Sequence, residues 1–226
     1  MPEGVTGIIV AGGLSRRFGS DKPSASLRGR PLLQWVRDAL APVVDEMVVV
    51  TAAGQTLPPM HPAIPVTVVE DREPERGPLA GLAAGFAATA SPVCFVASCD
   101  APLLRAAVVE QVAGALGSHD AVLPEVGGFQ QPLAAAYRRE PCLAAAEASL
   151  AAGGNKVIEA FAELDVLALA EDRLARVDPD LRSFRNANTP DELAAIAALL
   201  DTPAPSAPTP SRRKRTRPRG KSRRRH

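Results

Sequence analysis

Glycine and cationic residues gather in a short segment near the N-terminus, 10–23, which reads VAGGLSRRFGSDKP. Its adjacent glycines, Gly12 and Gly13, can bring backbone N–H groups close to a ligand because they carry no side chain. Three cations within the same segment can neutralise the charge of a triphosphate. They are Arg16, Arg17 and Lys22. The segment therefore predicts a phosphate-binding loop.

Two familiar phosphate-binding patterns do not fit this loop. A dinucleotide-binding fold needs the pattern GxGxxG and an acidic residue at the end of the second strand. Here the glycines stand at 12, 13 and 19, and the second apolar run ends in Thr51-Ala52-Ala53 without an acid. A P-loop would end in Gly-Lys-Ser/Thr, which is absent. The loop belongs to neither class.

Carboxylates follow two later apolar runs. Asp100 comes after the run Val93–Ala97 and just before Pro102. Mg²⁺ binds one or two carboxylates together with phosphate oxygens, so Asp100 predicts a magnesium site beside the phosphate loop. The alternative role for Asp100 is a helix N-cap. Asp71 follows the run Val66–Glu70 and is a candidate ligand for substrate or for metal-bound water, or else one of several surface acids.

The elements that must position these residues follow a βαβ rhythm. Continuous apolar runs predict buried strands over Val5–Val10, Met47–Thr51, Val66–Glu70 and Val93–Ala97. Helices are predicted over Leu32–Leu40, Leu79–Thr89 and Val108–Leu116. This alternation is typical of a Rossmann-like α/β fold with three layers, α/β/α, and a mostly parallel sheet. Ligands bind such sheets at the carboxyl ends of the strands, so the loop and both carboxylates should lie at one edge.

The later part of the chain continues the same alternation. Strands are predicted over Ala121–Glu125 and Leu133–Arg138, with helices near Cys142–Ala151 and Val157–Leu164. The last helix should begin with Thr189 as N-cap, Pro190 in the first turn and Glu192 completing a capping box. The segment 77–81, GPLAG, leads into an earlier helix. Either the N-terminus of that helix faces an anion, or the glycines permit close packing.

Charge divides the chain of 226 residues into unlike parts. Ten of its 26 Lys and Arg residues lie between Arg212 and His226, and no acidic residue follows Asp201. Residues 1–201 therefore carry 16 basic and 25 acidic groups, a net of −9. We expect one domain over 1–201, an extended proline-rich linker over 202–211 and a disordered basic tail over 212–226. The tail is either a solvated appendage or a nonspecific contact for polyanions.

Composition favours a cytoplasmic protein. No apolar run approaches the ~20 residues needed to cross a bilayer, so no membrane association is expected. The N-terminal MPEGVTG lacks the basic region of a signal peptide. The chain's cysteines are odd in number, form no CxxC pair and fit the reduced thiols of a cytosolic protein. They are Cys94, Cys99 and Cys142.

Motifs that occur in a fixed order resemble a known family. They read VAGGLSRRFGSDK, GPLAG, SCDAP and NANTPDEL. Together they resemble the molybdenum cofactor guanylyltransferases, whose fold is that of the nucleotidyltransferases and nucleotide-diphospho-sugar transferases. The resemblance spans roughly residues 5–200 and makes 1–201 a nucleotidyltransferase domain. It implies transfer of GMP from GTP to the terminal phosphate of Mo-molybdopterin, with release of pyrophosphate.

The resemblance also implies a set of site residues. The GTP contacts would be Val10, Ala11, Gly12, Gly13, Lys22, Asp71 and Asp100. Asp100 would also hold the cofactor, Mg²⁺, while Lys22 and Arg16 stabilise the charge that develops during transfer. The family often places an asparagine after the second strand, where this chain reads Thr51-Ala52-Ala53. Either Thr51 substitutes for it, or main-chain groups take over its part.

The acceptor site is expected among amides near the C-terminal half. Gln131 precedes a predicted strand, and Asn186 and Asn188 precede the last helix. Their side chains would meet a pterin edge or the acceptor phosphate, or else only make hydrogen bonds at turns and at the start of a strand.

The sequence is also compatible with other functions. Cytidylyltransferases for the same cofactor tend to carry AAG where this chain has Ala11-Gly12-Gly13, so Gly13 favours the larger guanine. Transfer to a sugar phosphate is a further alternative. A different class would be a noncatalytic nucleotide- or RNA-binding protein that acts through its basic tail. If the chain is a guanylyltransferase, molybdoenzyme-maturation proteins or apoenzymes are expected docking partners, because the finished cofactor is labile.

Overall fold

A computed structural model describes residues 4–12, 21–60, 64–71 and 73–201. Its strands are β1 (Val5–Val10), β2 (Ser26–Leu27), β3 (Arg30–Pro31), β4 (Glu46–Ala52), β5 (Val66–Asp71), β6 (Val93–Ser98), β7 (Ala121–Val126), β8 (Phe129–Gln130), β9 (Ala134–Arg138) and β10 (Val166–Leu169). Its α-helices are α1 (Leu32–Leu40), α2 (Pro78–Ala87), α3 (Ala106–Gly114), α4 (Arg139–Ala151), α5 (Val157–Ala160), α6 (Glu171–Leu174) and α7 (Pro190–Leu199).

One large sheet organises the molecule, with the strand order β10-β7-β9-β6-β1-β4-β5 and β8 paired to β7. The central strands β6, β1, β4 and β5 run parallel. β9 lies between β6 and β7 and runs antiparallel to both. The predicted fold class, a Rossmann-like α/β fold with a mostly parallel sheet, is confirmed.

Helices cover both faces of this sheet, which explains why its strands are apolar throughout. Along β1, Val5 and Ile9 pack into one core with α1, α3 and α6. Ile8 and Val10 point the other way, into a second core with α2, α4 and α5. A strand buried on both faces needs a continuous apolar run rather than an alternating one.

A third, smaller core joins an early part of the chain to a late one. It consists of Ala25, Leu27, Leu32, Ala187 and Ile196, and it ties the β2–β3 hairpin and α1 to α7. The Oγ1 atom of Thr189 accepts from the N–H group of Glu192 at 3.2 Å, which is one half of the predicted capping box. The Glu192 carboxylate accepts from the N–H group of Asn188 at 2.7 Å rather than from that of Thr189. This core places the segment that leads into α7 against the segment that follows Lys22.

Element boundaries agree closely with the sequence-based expectations in the first half of the chain. α1 covers the predicted Leu32–Leu40, while the helix expected over Val157–Leu164 ends at Ala160. The short elements β2, β3, β8, β10 and α6 were not predicted. Within the described residues, no helix has the length and apolar character to cross a membrane. All three cysteines are buried and unpaired.

Glycines in α2 serve close packing. A Cβ atom at Gly85 would lie 2.6 Å from Cγ2 of the buried Ile8, and one at Gly81 would lie 3.4 Å from Cγ1 of Val10. Gly77 precedes the helix with φ +70°, a conformation that glycine adopts readily. Of the two interpretations of the GPLAG segment, packing is the one that these contacts support.

A pair of helical glycines provides a test of this packing. We expect Gly85→Ala to lower the free energy of unfolding by about 1–3 kcal/mol, because Ile8 is held on every side and overpacking strains the core. Gly114→Ala is the matched control, since Gly114 is exposed in α3 and a Cβ atom there would meet nothing within 4 Å. Gly114→Ala should leave the free energy of unfolding unchanged or raise it by up to about 1 kcal/mol. Urea unfolding of both variants measures the difference, and equal effects would contradict the packing role.

Candidate active site

Lys22 and Asp100 meet at the carboxyl edge of the sheet. The Nζ atom of Lys22 donates to Oδ2 of Asp100 at 2.5 Å, and also to Oδ1 of Asn188 at 2.9 Å. The side chains of Lys22 and Asp100 are only 15% and 9% exposed. Three segments that are far apart in the sequence therefore converge on one ammonium group.

Backbone hydrogen bonds hold Asp100 in place. The N–H group of Cys99 donates to the carbonyl of Val10 at 3.1 Å, which extends the β1–β6 pairing to the residue before Asp100. The carbonyl of Asp100 accepts from the N–H group of the buried Ala187 at 2.8 Å. The end of β6 and the segment before α7 are thus fixed to each other next to the Lys22 contact.

The second oxygen of the Asp100 carboxylate suits a metal ion. Oδ1 is buried and, among the described residues, has no hydrogen-bond partner. A buried carboxylate oxygen without a partner is costly unless a ligand satisfies it. The described residues contain no group of three or more His, Cys, Asp and Glu side chains that could hold a metal. Asp100 would therefore share an ion with phosphate oxygens, which is how Mg²⁺ commonly binds.

The close approach of β4 leaves no room for a side chain at Gly12. A Cβ atom at Gly12 would lie 2.7 Å from the backbone nitrogen of Ala52. The N–H groups of Ala11 and Gly12 both donate to the carbonyl of Val50, at 2.8 and 3.0 Å. These N–H groups are already paired, which corrects the expectation that Gly12 lacks a side chain so that its N–H can approach a ligand.

Asp71 occupies the same edge but lies well away from Asp100. It ends β5, and β4 and β1 separate β5 from β6 in the sheet. Three inter-strand spacings of about 4.8 Å put the ends of β5 and β6 roughly 14 Å apart. Because Mg²⁺–oxygen bonds are about 2 Å long, the two carboxylates cannot bind one ion directly. They can contact different parts of an extended ligand.

Burial raises the pKa of the Asp71 carboxyl above its usual value, and the nearby charges of Glu75 and Glu73 add to the effect. The N–H group of Glu73, which donates to Oδ1 of Asp71 at 2.9 Å, opposes it. A buried carboxylate with acidic neighbours stabilises the fold poorly, and such groups are more typical of functional sites.

Comparison with known proteins places the chain in a family. Residues 7–167 match the MobA-like NTP transferase domain. A molybdenum cofactor guanylyltransferase from Desulfosudis oleivorans is 36% identical over 200 residues, covering 88% of this chain and 96% of that protein. A probable molybdenum cofactor guanylyltransferase from Natronomonas pharaonis is 34% identical over 191 residues, covering 83% and 94% of the two chains.

This chain belongs to the MobA-like NTP transferase family. The resemblance inferred from the motifs is confirmed, and the chain is a nucleotidyltransferase by family. The molybdopterin-guanine dinucleotide biosynthesis protein A of Archaeoglobus fulgidus has a similar structure, with a TM-score of 0.71, 24% identity and coverage of 87% of this chain and 98% of that one. A 2-C-methyl-D-erythritol 4-phosphate cytidylyltransferase from Thermus thermophilus shares the fold with a TM-score of 0.66, 16% identity and coverage of 86% and 98%.

Of the remaining predicted site residues of this NTP transferase, some lie at the contact between Lys22 and Asp100 and others do not. Asn188 contacts Lys22, and Asn186 lies exposed two residues before it. The Nε2 atom of Gln131 donates to the carbonyl of Phe129 at 3.1 Å, so this side chain is bonded next to the β7–β8 hairpin. Gly13 and Arg16, with neighbouring Arg17, lie outside the described residues, and their roles stay predictions.

Sequence reasoning missed Gln55, the third residue after β4. Thr51 does not take that place, since it is buried and its Oγ1 atom donates to the carbonyl of Val69 at 3.3 Å. The Gln55 amide instead contacts the ends of both β1 and β4, through Ala11 and Ala52. The signal in the sequence was the amide side chain of Gln55, two positions after Ala53, where an asparagine was expected.

The raised pKa of Asp71 has a measurable consequence for stability. Between the unfolded pKa, about 3.9, and the higher folded pKa, the folded state binds more protons than the unfolded state, so stability falls as pH rises. We expect the free energy of unfolding of the wild type, relative to Asp71→Asn, to fall as pH increases from about 3.5 to 7. Urea unfolding at a series of pH values measures this difference. A constant or rising difference would contradict the effect.

Proposed function

We propose that this NTP transferase transfers GMP from GTP to the phosphate of Mo-molybdopterin and releases pyrophosphate. The observation that carries the proposal is the contact of Lys22 with Asp100 at the carboxyl edge of the sheet, directly beside the ends of β1 and β6. Relatives at 34–36% identity over most of the chain are named molybdenum cofactor guanylyltransferases. Charge and position agree with a site for a nucleoside triphosphate.

The chemistry asks mainly for positioning and charge neutralisation. A phosphate-monoester oxygen of the acceptor attacks the α-phosphorus of GTP in line, and the bond to the bridging oxygen of pyrophosphate breaks. Lys22 provides a fixed ammonium group for the charge on the phosphates, and Arg16 is proposed to assist it. The acceptor phosphate is already ionised at neutral pH, so no general base is needed.

Asp100 is proposed as the residue that holds Mg²⁺, through its unpartnered oxygen Oδ1. When bound, the ion supplies Lewis-acid stabilisation and a template for the phosphates. Lys22 holds the other oxygen, Oδ2, and thereby keeps the carboxylate oriented. Each oxygen of Asp100 then has its own partner.

The remaining proposed contacts surround this centre. The residues at the end of β1 are proposed to lie along the nucleotide, with Asp71 at its far end. They are Val10, Ala11 and Gly12, followed in the sequence by Gly13. Asn188, which already contacts Lys22, and Asn186 are proposed to receive the acceptor. Gln131, whose amide donates to the carbonyl of Phe129, is also proposed to contact the acceptor.

Base selectivity separates this proposal from its nearest alternative, a cytidylyltransferase. Pyrophosphate release is measured with Mg²⁺, Mo-molybdopterin and each nucleoside triphosphate in turn. We expect turnover with GTP, because the glycine at position 13 of the sequence favours the larger guanine. Turnover with CTP but not with GTP would contradict the guanylyl assignment, and turnover with a sugar phosphate as acceptor would contradict the assigned acceptor.

Two substitutions test the roles of the central pair in the same assay. Lys22→Ala should lower kcat/KM by about 10²–10³-fold, since it removes a fixed charge at the phosphates. Lys156→Ala is the matched control, because Lys156 is exposed and, within the part of the chain that the structure describes, its ammonium group pairs with the exposed Glu159 alone. Turnover by Asp100→Ala equal to that of the wild type would contradict the metal-binding role.

The basic tail, 212–226, is proposed to act apart from the chemistry, as a nonspecific contact for polyanions on a cytoplasmic enzyme. Docking of molybdoenzyme-maturation proteins or apoenzymes, to receive the product, is proposed for the domain 1–201. Removing residues 202–226 should leave GMP transfer unchanged and weaken binding to single-stranded RNA, most strongly at low salt. Loss of transfer in this variant, or unchanged RNA binding, would contradict the separation.

A further inference from the structure

The side chain of Gln55 joins three parts of the candidate site. Its Nε2 atom donates to Oδ1 of Asp21 at 2.5 Å and, more weakly, to the carbonyl of Ala11 at 3.4 Å. Its Oε1 atom accepts from the N–H group of Ala52 at 2.9 Å. One amide therefore connects the end of β1, the end of β4 and the residue immediately before Lys22.

Asp21 is bonded in turn to the short segment that begins with Lys22. Its second oxygen, Oδ2, accepts from Oγ of Ser24 at 2.7 Å, and its carbonyl accepts from the N–H group of Ser24 at 3.1 Å. The N–H group of Ala25 donates to the carbonyl of Lys22 at 3.1 Å. Lys22 thus begins a short 3₁₀ turn, Lys22–Ser24, whose first residues are fixed to the sheet through Asp21.

The bonding of Gln55 indicates how it acts. Both N–H bonds of its amide have an acceptor within the chain, and its oxygen already has a donor. An amide whose donors are used internally has no N–H group left to recognise a base. It can, however, hold the acidic side chain of Asp21 in one orientation, since an N–H group bonded to a carboxylate makes a strong contact.

We infer that Gln55 is a positioning residue that aligns Lys22 with Asp100 by fixing Asp21 to the ends of β1 and β4. The catalytic consequence rests on the proposed function, whereas the structural consequence does not. Loss of the Gln55 amide loosens the turn that carries Lys22. The nucleotide still binds, but the ammonium group is no longer held where the transfer needs it.

Hydrogen exchange tests the structural half without any turnover. In Gln55→Ala we expect the amides of Ser24 and Ala25 to exchange at least about 10-fold faster than in the wild type, because local opening becomes easier. Gln34→Ala is the matched control: the Gln34 amide donates to the carbonyl of Pro59 and not to Asp21. Unchanged exchange in Gln55→Ala would overturn the inference. The result stands whether or not GTP proves to be the substrate.

Kinetics with GTP and Mo-molybdopterin test the catalytic half. We expect Gln55→Ala to lower kcat about 10-fold with KM for GTP changed less than about threefold, because alignment rather than binding is lost. Asp21→Ala should have a similar effect, and the double variant should be no worse than either single variant. Additive losses, or a loss confined to KM, would overturn the inference and point to direct contact with the nucleotide.

A carboxyl group at position 55 tests whether the site needs a hydrogen-bond donor to Asp21 at this position. In Gln55→Glu two carboxyl groups face each other. Among the described residues, the charged neighbours are Lys22, next to Asp21 in the chain, and Glu70, which accepts from the N–H group of Gly54. Such a pair binds a proton more tightly, and the protonated form can donate to Asp21 as the amide does. The activity of Gln55→Glu, divided by that of the wild type at each pH, should rise at least about threefold from about pH 8 to about pH 5.5. A flat ratio would overturn the inference.

Discussion

The contact between Lys22 and Asp100 is the interaction on which the candidate site depends. Both side chains are largely buried, so each charge relies on the other for compensation. Removing one member of such a buried pair typically costs about 3–5 kcal/mol, because it strands the remaining charge. The same ammonium group also contacts Asn188, so the pair joins the first loop, the end of β6 and the segment before α7. The small third core beside it gives these three segments a common support.

The sheet edge provides separate positions for separate tasks. The ends of β1 and β4 are bonded to each other and leave no space for a side chain at Gly12. Asp100 lies on one side of them and Asp71 on the other, too far apart to bind one ion but both within reach of an extended nucleotide. Each carboxylate carries an energetic cost: Asp100 has a buried oxygen without a partner among the described residues, and Asp71 has a raised pKa. Stability lost at such positions is typical of sites shaped by function.

Much of this arrangement can be predicted from the sequence, because it follows from local signals. Strands buried on both faces need continuous apolar runs, and the runs ending at Val10 and Ala97 identified β1 and β6 with Asp100 behind them. Thr189 and Glu192 predicted the start of α7 through a hydrogen bond that spans only three residues. Other features depend on distant partners. Gly12 lacks a side chain because of Ala52, and Gln55 matters because of Asp21 and Ala11, neither of which a local pattern reveals. The two-residue strands β2, β3 and β8 have too few side chains to show an alternating apolar pattern, so the sequence does not predict them.

A double-mutant cycle in the free energy of unfolding tests the central claim most directly, and it needs no substrate. The variants are Lys22→Met, Asp100→Asn and the two combined, measured by urea unfolding at neutral pH. If the two side chains compensate each other, the double variant is less destabilised than the sum of the single variants by at least about 1 kcal/mol. If the losses add to within about 0.5 kcal/mol, Lys22 and Asp100 act independently and the account is contradicted.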